Sequence, residues 1–342
     1  MAPRRARLDG ATVGVLYNVH LRMARGLPQD AASDADTLRT VAAAGSVLRA
    51  AGARVVDLAC GGDPRPVLAN LARRRPDVVL NLCDCPRGDS ALEPALPYLL
   101  DLLGVPYTGA PGAALALCRD KAAAKRMLVA AGIPTPPFVV VPPGRRPVEP
   151  PGLPAIVKPL LEDASCGIGN DSVVHTRRAL ARQVRFIHRR YRQPALVEAF
   201  IDGRELNVSV VGNDPPRALP AGEIDFSRMP EGLPRIVGFD AKWRPGCAED
   251  EGSRPMAARP LPRVVRAALR RHALAAVSLT GCRDYARVDF RLDRRLRPFV
   301  LEVNPNPDLS PNAGLAMAWK RAGGSWPDLV IRIVRTALSR RA

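Results

Sequence analysis

The chain has 342 residues, 47% of them hydrophobic and 25% charged, with a formal net charge of +18 at neutral pH. That length accommodates two or three globular domains with sizeable cores, and no apolar run approaches the roughly 18–20 residues that cross a bilayer, so a cytoplasmic protein is expected. The positive charge raises a nucleic-acid partner, but the arginines fall in scattered pairs such as Arg145-Arg146 and Arg294-Arg295, and aromatics are 4%, too few for a base-stacking platform.

The first hundred residues alternate strand and helix. An apolar strand near Val13–Tyr17 is followed by a helix over about Asp34–Ala51, a strand at Arg54–Leu58 and a helix near Val67–Arg74. A strand at Asp77–Leu82 and a helix near Leu92–Leu103 complete the run. Such alternation predicts a parallel sheet with helices packed on it. From Thr108 the texture changes: TGAPGAALALCRDKAAAKRMLVAAGIPTPP reads as two short helices closed by Gly132 and Pro134, and RRPVEPPGLP as a loop. The strand AIVKPL, the small-residue loop EDASCGIG, a helix over about Arg177–Arg190 and a strand at Ala195–Phe200 follow. A third section opens near Gly203 with the strand RELNVSVVG, continues through a Pro- and charge-rich stretch to Pro260 and a helix over Pro262–Leu279, and ends in two strands joined by a charged turn. The expected organisation is α/β over 1–108, followed by a second unit over 109–202 and a third over 203–342, both α+β in character.

The seven cysteines are an odd number and scattered, and Cys83 and Cys85 lack the second pair or nearby histidines of a zinc site, so they read as reduced thiols. Only five of the 51 basic residues are lysines: Lys121, Lys125, Lys158, Lys242 and Lys320. Where arginine is the default cation, a lysine stands out as a compact point charge that a planar guanidinium does not replace.

The two late strands, YARVDFRLDRRLRPFVLEVNPN, carry the strongest signal. Alternation puts Tyr285, Arg287, Asp289 and Arg291 on one face of the first strand, and Val300, Glu302 and Asn304 on one face of the second. Paired as a hairpin, they bring Asp289, Glu302 and Asn304 together: two carboxylates and an amide oxygen, a hard donor set suited to Mg²⁺, with Mn²⁺ as an alternative. Arg287 beside them suits a developing anion. The bland alternative is an amphipathic hairpin whose polar face meets water. In IVKPLLEDASCGIG, Lys158 ends a strand before a loop whose small residues let backbone N–H groups approach phosphate oxygens. It is neither a Walker loop nor a dinucleotide fingerprint, and a surface loop is its alternative reading.

From PDVVLNL to NPNPDLSPNAGLAMA the chain resembles the ATP-grasp superfamily and, within it, the D-alanine–D-alanine ligase family, most strongly after Thr108. The resemblance implies an ATP-grasp fold preceded by a Rossmann-like parallel-sheet domain, dividing at 108/109 and 202/203. It places Lys121 and Lys158 on phosphates, Ser165 in the phosphate loop, and Phe200 and Ile201 in the adenine pocket. Glu198 becomes the adenine-side acid, Glu205 the ribose acid, and Lys242 of GFDAKWR a γ-phosphate contact on a mobile loop. Arg287 is implied as the catalytic arginine, and Asp289, Glu302 and Asn304 as the magnesium ligands. The implied activity is ATP-dependent ligation of a carboxylate to an amine through an acyl phosphate, on small amino-acid or amine and carboxylate substrates, by a homodimer.

The amino-acid half departs from the family pattern. Asp308 stands where the family has a glycine after its asparagine, Ala313 where it has a serine, and CDCPRG where it has His-Gly. The N-terminal glutamate of the family has only Asp34 and Asp36 as nearby counterparts. Asp36 and Asp308 are therefore the candidate substrate-site residues, and a carboxylate at 308 is expected to repel a substrate carboxylate unless it turns away.

Overall fold

The structure, a computed structural model, describes residues 8–19, 34–145 and 149–341, with side chains of the first helix described from residue 37 onward. The N-terminal sheet has β1 (Thr12–Asn18) at its centre, flanked by β2 (Arg54–Cys60) and β3 (Val78–Asn81), all parallel. Helices α1 (Asp34–Ala50), α2 (Arg65–Arg74) and α3 (Ala95–Leu102) surround it. The strand-helix alternation of the sequence thus appears as expected, with ends displaced by a few residues.

Two short helices follow, α4 (Gly112–Arg119) and α5 (Lys121–Ala130). Asp120 separates them and caps the second, accepting bonds from Ala122 N (3.0 Å) and Ala123 N (2.9 Å), which fixes Lys121 at the first position of α5. An antiparallel sheet comes next, ordered β4 (Phe138–Val141), β7 (Ala195–Ala199), β5 (Ala155–Pro159), β6 (Val173–Val174). One face is covered by α6 (Arg177–Arg190), whose Leu180, Val184 and Ile187 recur at helical spacing and are buried, while its arginines face outward.

The last sheet is also antiparallel. Its path joins β11 (Arg254–Ala257), β10 (Gly222–Asp225), β8 (Arg204–Val211), β12 (Tyr285–Leu292) and β13 (Pro298–Asn304), with β9 (Arg217–Ala218) paired to β8. The Pro- and charge-rich stretch is therefore not a plain loop, for it holds β9, β10, β11 and the short helices α7 (Phe239–Trp243) and α8 (Ala248–Gly252). Helix α9 (Arg263–Leu279) packs its Leu269, Ala273 and Val277 on this sheet against Val208, Val288 and Val303.

The hairpin forms with one correction to its alternation. Arg287 pairs with Asn304 and Asp289 with Glu302, but Phe290 then pairs with Val300, so Leu301 is the extra residue of a bulge. Val300 consequently joins Val303 in the core instead of sharing a face with Glu302.

Helices α10 (Gly314–Arg321) and α11 (Trp326–Leu338) close the chain by returning to the first sheet. Leu315, Leu329, Ile333 and Val334 share one core with Val13, Val15 and Leu48. Among the described residues no helix is long and apolar enough to cross a membrane.

Candidate active site

Two joined cavities lie between the sheets. The larger, about 460 Å³, runs between β5–β7 and the last sheet and is lined by Lys158, Ser165, Glu198, Phe200, Ile201, Glu205, Lys242, Arg287, Asp289 and Glu302. The smaller, about 240 Å³, lies against α1, α4 and the segment after β3, and its lining includes Asn304 and Asp308. Lys242, Arg287 and Glu302 line both. Any two ligands seated side by side in these spaces would meet at those three side chains.

Charge is concentrated there. Burial alone would raise the Glu302 pKa, yet Lys121, Lys158, Lys242 and Arg287 hold it down to about 2. Lys121 lines neither cavity: its Nζ donates to Asp163 (3.0 Å) and to the Glu162 carbonyl. Burial works against its charge, but Asp163 and Glu302 raise its pKa above the usual lysine value. Four cations around one carboxylate form a site whose balance is restored by a polyanion.

Asp289 is clasped by Arg287, whose Nε and Nη2 donate to its two oxygens at 2.7 Å each. Asn304 Oδ1 accepts from Asn306 N at 3.0 Å, which fixes the amide. Among the described residues no three His, Cys, Asp or Glu side chains form a metal cluster. The set here is two carboxylates and an amide oxygen in the register described, and this hard-oxygen chemistry fits a divalent cation completed by phosphate and water.

The small-residue loop that follows β5 is held in an unusual backbone path. Ala164 and Ser165 have φ of +54° and +62°, and Gly167 has +74°. A Cβ at Gly167 would stand 2.6 Å from Pro159 Cγ, so only glycine lets the loop lie this close to the end of β5. Helix α7 lies against it: Trp243 Nε1 donates to Ala164 O (3.0 Å) and Phe239 N to Ile168 O (2.8 Å). Lys242 is carried to the junction by those contacts.

Glu198 is almost completely buried between two lysines, 2.6 Å from both Lys125 and Lys158. Glu205 accepts from Arg291 Nη2 at 2.7 Å, and the Arg291 guanidinium also lies over the Phe200 ring, 5.1 Å from its centroid. Asp308 accepts from Ser310 N (2.7 Å) and Ser310 Oγ (2.8 Å) while lining the smaller cavity. The side chains of Asp34 and Asp36 lie outside the described residues, although Thr37 and Thr40 of the same helix line that cavity.

Residues 127–335 match the family model described as D-ala D-ala ligase C-terminus. The chain is also 35% identical over 301 residues to the D-alanine–D-alanine ligase of Gluconobacter oxydans, a match covering 87% of this chain and 93% of the relative. The chain belongs to the D-alanine–D-alanine ligase family. An uncharacterized protein y4sG of Sinorhizobium fredii is 33% identical over 288 residues, covering 82% of each chain. The fold is similar to a crystal structure of the D-alanine–D-alanine ligase from Bacillus anthracis complexed with ATP, with a TM-score of 0.74, 20% identity, and 97% and 98% of the two chains covered.

Sequence reasoning passed over several residues of this ligase-family site. Lys125 was visible as one of five lysines, four residues after Lys121, and it reaches Glu198 from the buried side of α5. Arg291 shares the strand parity of Arg287 and Asp289. Arg119 and Glu93 gave no signal, because nothing local links them to the hairpin; both line the smaller cavity, and Arg119 Nε is buried without a partner among the described residues.

Proposed function

We propose that this chain joins a carboxylate to an amine, one of them or both belonging to amino acids, at the expense of ATP. The observation that carries this is the meeting of the two cavities at Lys242, Arg287 and Glu302. A nucleotide fills the larger space with its adenine toward Phe200 and Ile201, its ribose at Glu205, and its phosphates toward Lys121, Lys158 and Ser165. The amino-acid substrates fill the smaller one.

Asp289, Glu302 and Asn304 would hold Mg²⁺, or Mn²⁺, which when bound neutralises phosphate charge and orients the phosphates. The chain's own groups do the rest by position and charge. A substrate carboxylate oxygen attacks the γ-phosphorus, the bond from that phosphorus to the bridging oxygen breaks, and ADP leaves with charge matched by the lysines. The amine nitrogen then attacks the acyl carbon. Arg287 faces the oxyanion that develops, the carbon–oxygen bond to phosphate breaks, and phosphate departs as the nitrogen loses its proton.

Identity of the amino acids is a separate question, because Asp308 keeps a carboxylate on the wall of the smaller cavity. A substrate other than D-alanine is the reading this residue favours. Release of ADP and phosphate, measured over a panel of D- and L-amino acids, tests both levels. Amino-acid-dependent release supports the ligase; its absence across the panel overturns it, and D-alanine acting alone to give its dipeptide overturns the altered substrate.

A further inference from the structure

The larger cavity continues from Arg287 beneath α10, which packs on β8 and β10, and its walls there are Asn207, Gly222, Gly314, Met317 and Arg321. Two glycines shape this branch. A Cβ on Gly314 would stand 3.8 Å from Arg287 Cδ and 3.9 Å from Asn207 Oδ1, so the first residue of α10 lies over the passage from Arg287 without filling it. A Cβ on Gly222, the β10 partner of Asn207, would meet Asn207 Oδ1 at 2.7 Å and Arg321 Nη2 at 3.0 Å. The absence of a side chain at 222 is what lets the amide and the guanidinium share one spot.

The groups lining the branch are polar and unpaired. Asn207 Oδ1 and Arg321 Nε are buried without a hydrogen-bond partner among the described residues, and so is Ser209 Oγ, the next side chain on the same face of β8. Arg321 forms no ion pair among the described residues, and burial, with no carboxylate to oppose it, lowers its pKa. The other arginines of this cavity are matched, Arg287 by Asp289 and Arg291 by Glu205. A partly buried guanidinium without an anion is unfavourable, and an acid group brought by a ligand relieves it.

We propose that the attacking amine belongs to a dicarboxylic amino acid whose second acid group is bound by Arg321, an assignment that rests on the ligase reading above. The nucleotide is not the source of this anion. Its phosphates are met by Lys121, Lys158 and Lys242, which with Arg287 act most strongly on Glu302, and Arg321 is not among them. Nor does the smaller cavity offer the acid group a free cation, since Asp308 keeps a negative charge on its wall and Arg119 already acts on Glu93 and Glu162. The acceptor keeps its amine at the junction and passes its distal acid under Gly314. Gly314 and Arg321 are seven positions apart, about 10 Å along α10, a gap that the arginine side chain and a short acidic side chain span together. Arg321 is thus a specificity residue that selects which amine is ligated.

The test varies the acceptor while the donor is held at the panel amino acid that releases most ADP. Glutamate is compared with glutamine and aspartate with asparagine, in both chiralities, and mass spectrometry of the product shows which residue was the acceptor. In the wild type, kcat/KM for the better acid is expected to exceed that for its amide by roughly tenfold or more. Arg321→Gln is expected to remove this preference by lowering kcat/KM for the acid roughly tenfold or more, with the amide and KM for ATP left where they were. Equal losses for acid and amide, a raised KM for ATP, or an acid found only in the donor position overturns the assignment. Should the Gln variant not fold, the wild type decides: an amide used as well as its acid means that no second acid group is read. Failure of the ligase reading looks different, since the wild type would then release no ADP with any amino acid, charged or neutral, and this assignment would fall with it.

Discussion

Asp289 and Glu302 stand opposite one another in the β12–β13 ladder, and the bulge at Leu301 follows directly on that pair. A bulge strengthens local twist and re-aims side chains. Here it lets Val300 and Val303 both enter the core while Glu302 and Asn304 stay on the cleft side. Glu302→Gln keeps this shape and removes one charge from the centre of four cations. Turnover is expected to fall by at least about a hundredfold, on the scale of one lost electrostatic contact at a reacting centre, while the protein stays folded. Near-normal kcat in a folded variant would remove Glu302 from the metal set.

Lys242 reaches the junction from α7, a helix of five residues held to the loop after β5 by Trp243 and Phe239. If its charge acts on the phosphoryl group in flight, Lys242→Ala lowers kcat by about 3 kcal/mol equivalent, roughly a hundredfold, with a smaller change in KM for ATP. Steady-state kinetics at saturating amino acid measure the split. A variant with unchanged kcat and raised KM would reassign Lys242 to binding nucleotide in the ground state.

Glu198 tests the buried lysine bridge. Glu198→Gln leaves Lys125 and Lys158 without their shared anion, and the loss on breaking such a buried pair is about 3–5 kcal/mol, read from urea unfolding at pH 7. The pH dependence has a definite sign. Burial alone would raise the Glu198 pKa, but the two lysines lower it below 4.5. Its contribution is therefore complete above the ordinary carboxylate value and is lost as pH falls through the lowered folded value. The stability gap between wild type and variant should narrow only on that acid side; a gap that is constant down to pH 2 would mean the carboxylate's charge is not what stabilises.

Much of the fold and the site is legible in the sequence because it is written in local periods. Strand alternation brings Asp289, Glu302 and Asn304 to one side, and the scarcity of lysine in an arginine-rich chain marks five lysines, of which the resemblance to the family picks Lys121, Lys158 and Lys242. The parallel first sheet follows from alternating elements. What escapes has a common physical origin in contacts between segments far apart in the chain. The bulge at Leu301 is set by how β13 meets both its partner and the α9 core, and a period-two rule has no place for it. Helix α11 packs on β3, some 250 positions earlier in the chain, and Glu93 meets Asn306 across 213 positions. No spacing rule connects such residues. The strands and short helices between 217 and 257 are hidden by the proline and charge in and around them, which the edge strands β9 and β11 tolerate.

Arg291, on the wall of the larger cavity, makes four contacts: with Glu205 at 2.7 Å, with the Phe200 ring, and with the carbonyls of Ile201 and Arg235. Lysine carries the charge but has neither the fork nor the flat face. Arg291→Lys is expected to raise KM for ATP about tenfold and leave kcat within a factor of about two, because the affected contacts lie away from the transferred phosphate. Fluorescent nucleotide binding gives an independent reading. A kcat loss larger than the KM change would mean that Arg291 orders the reacting end as well.

Asp308 offers the sharpest view of substrate choice. Both its oxygens are occupied by Ser310, so the side chain shapes a turn, yet its charge remains on the wall of the smaller cavity and acts on Arg287. Asp308→Asn keeps one carbonyl oxygen to accept from Ser310 N and removes the charge. If that charge repels the carboxylate of an incoming amino acid, KM for an α-amino-acid acceptor falls by a few-fold in Asp308→Asn, on the order of 1 kcal/mol for charges a few ångströms apart near solvent. KM for an acceptor amine lacking a carboxylate, such as the amide of the same amino acid, should stay where it was. Identical responses of the two acceptors would show that Ser310 has turned the Asp308 charge away from the substrate, leaving it a role in the loop alone.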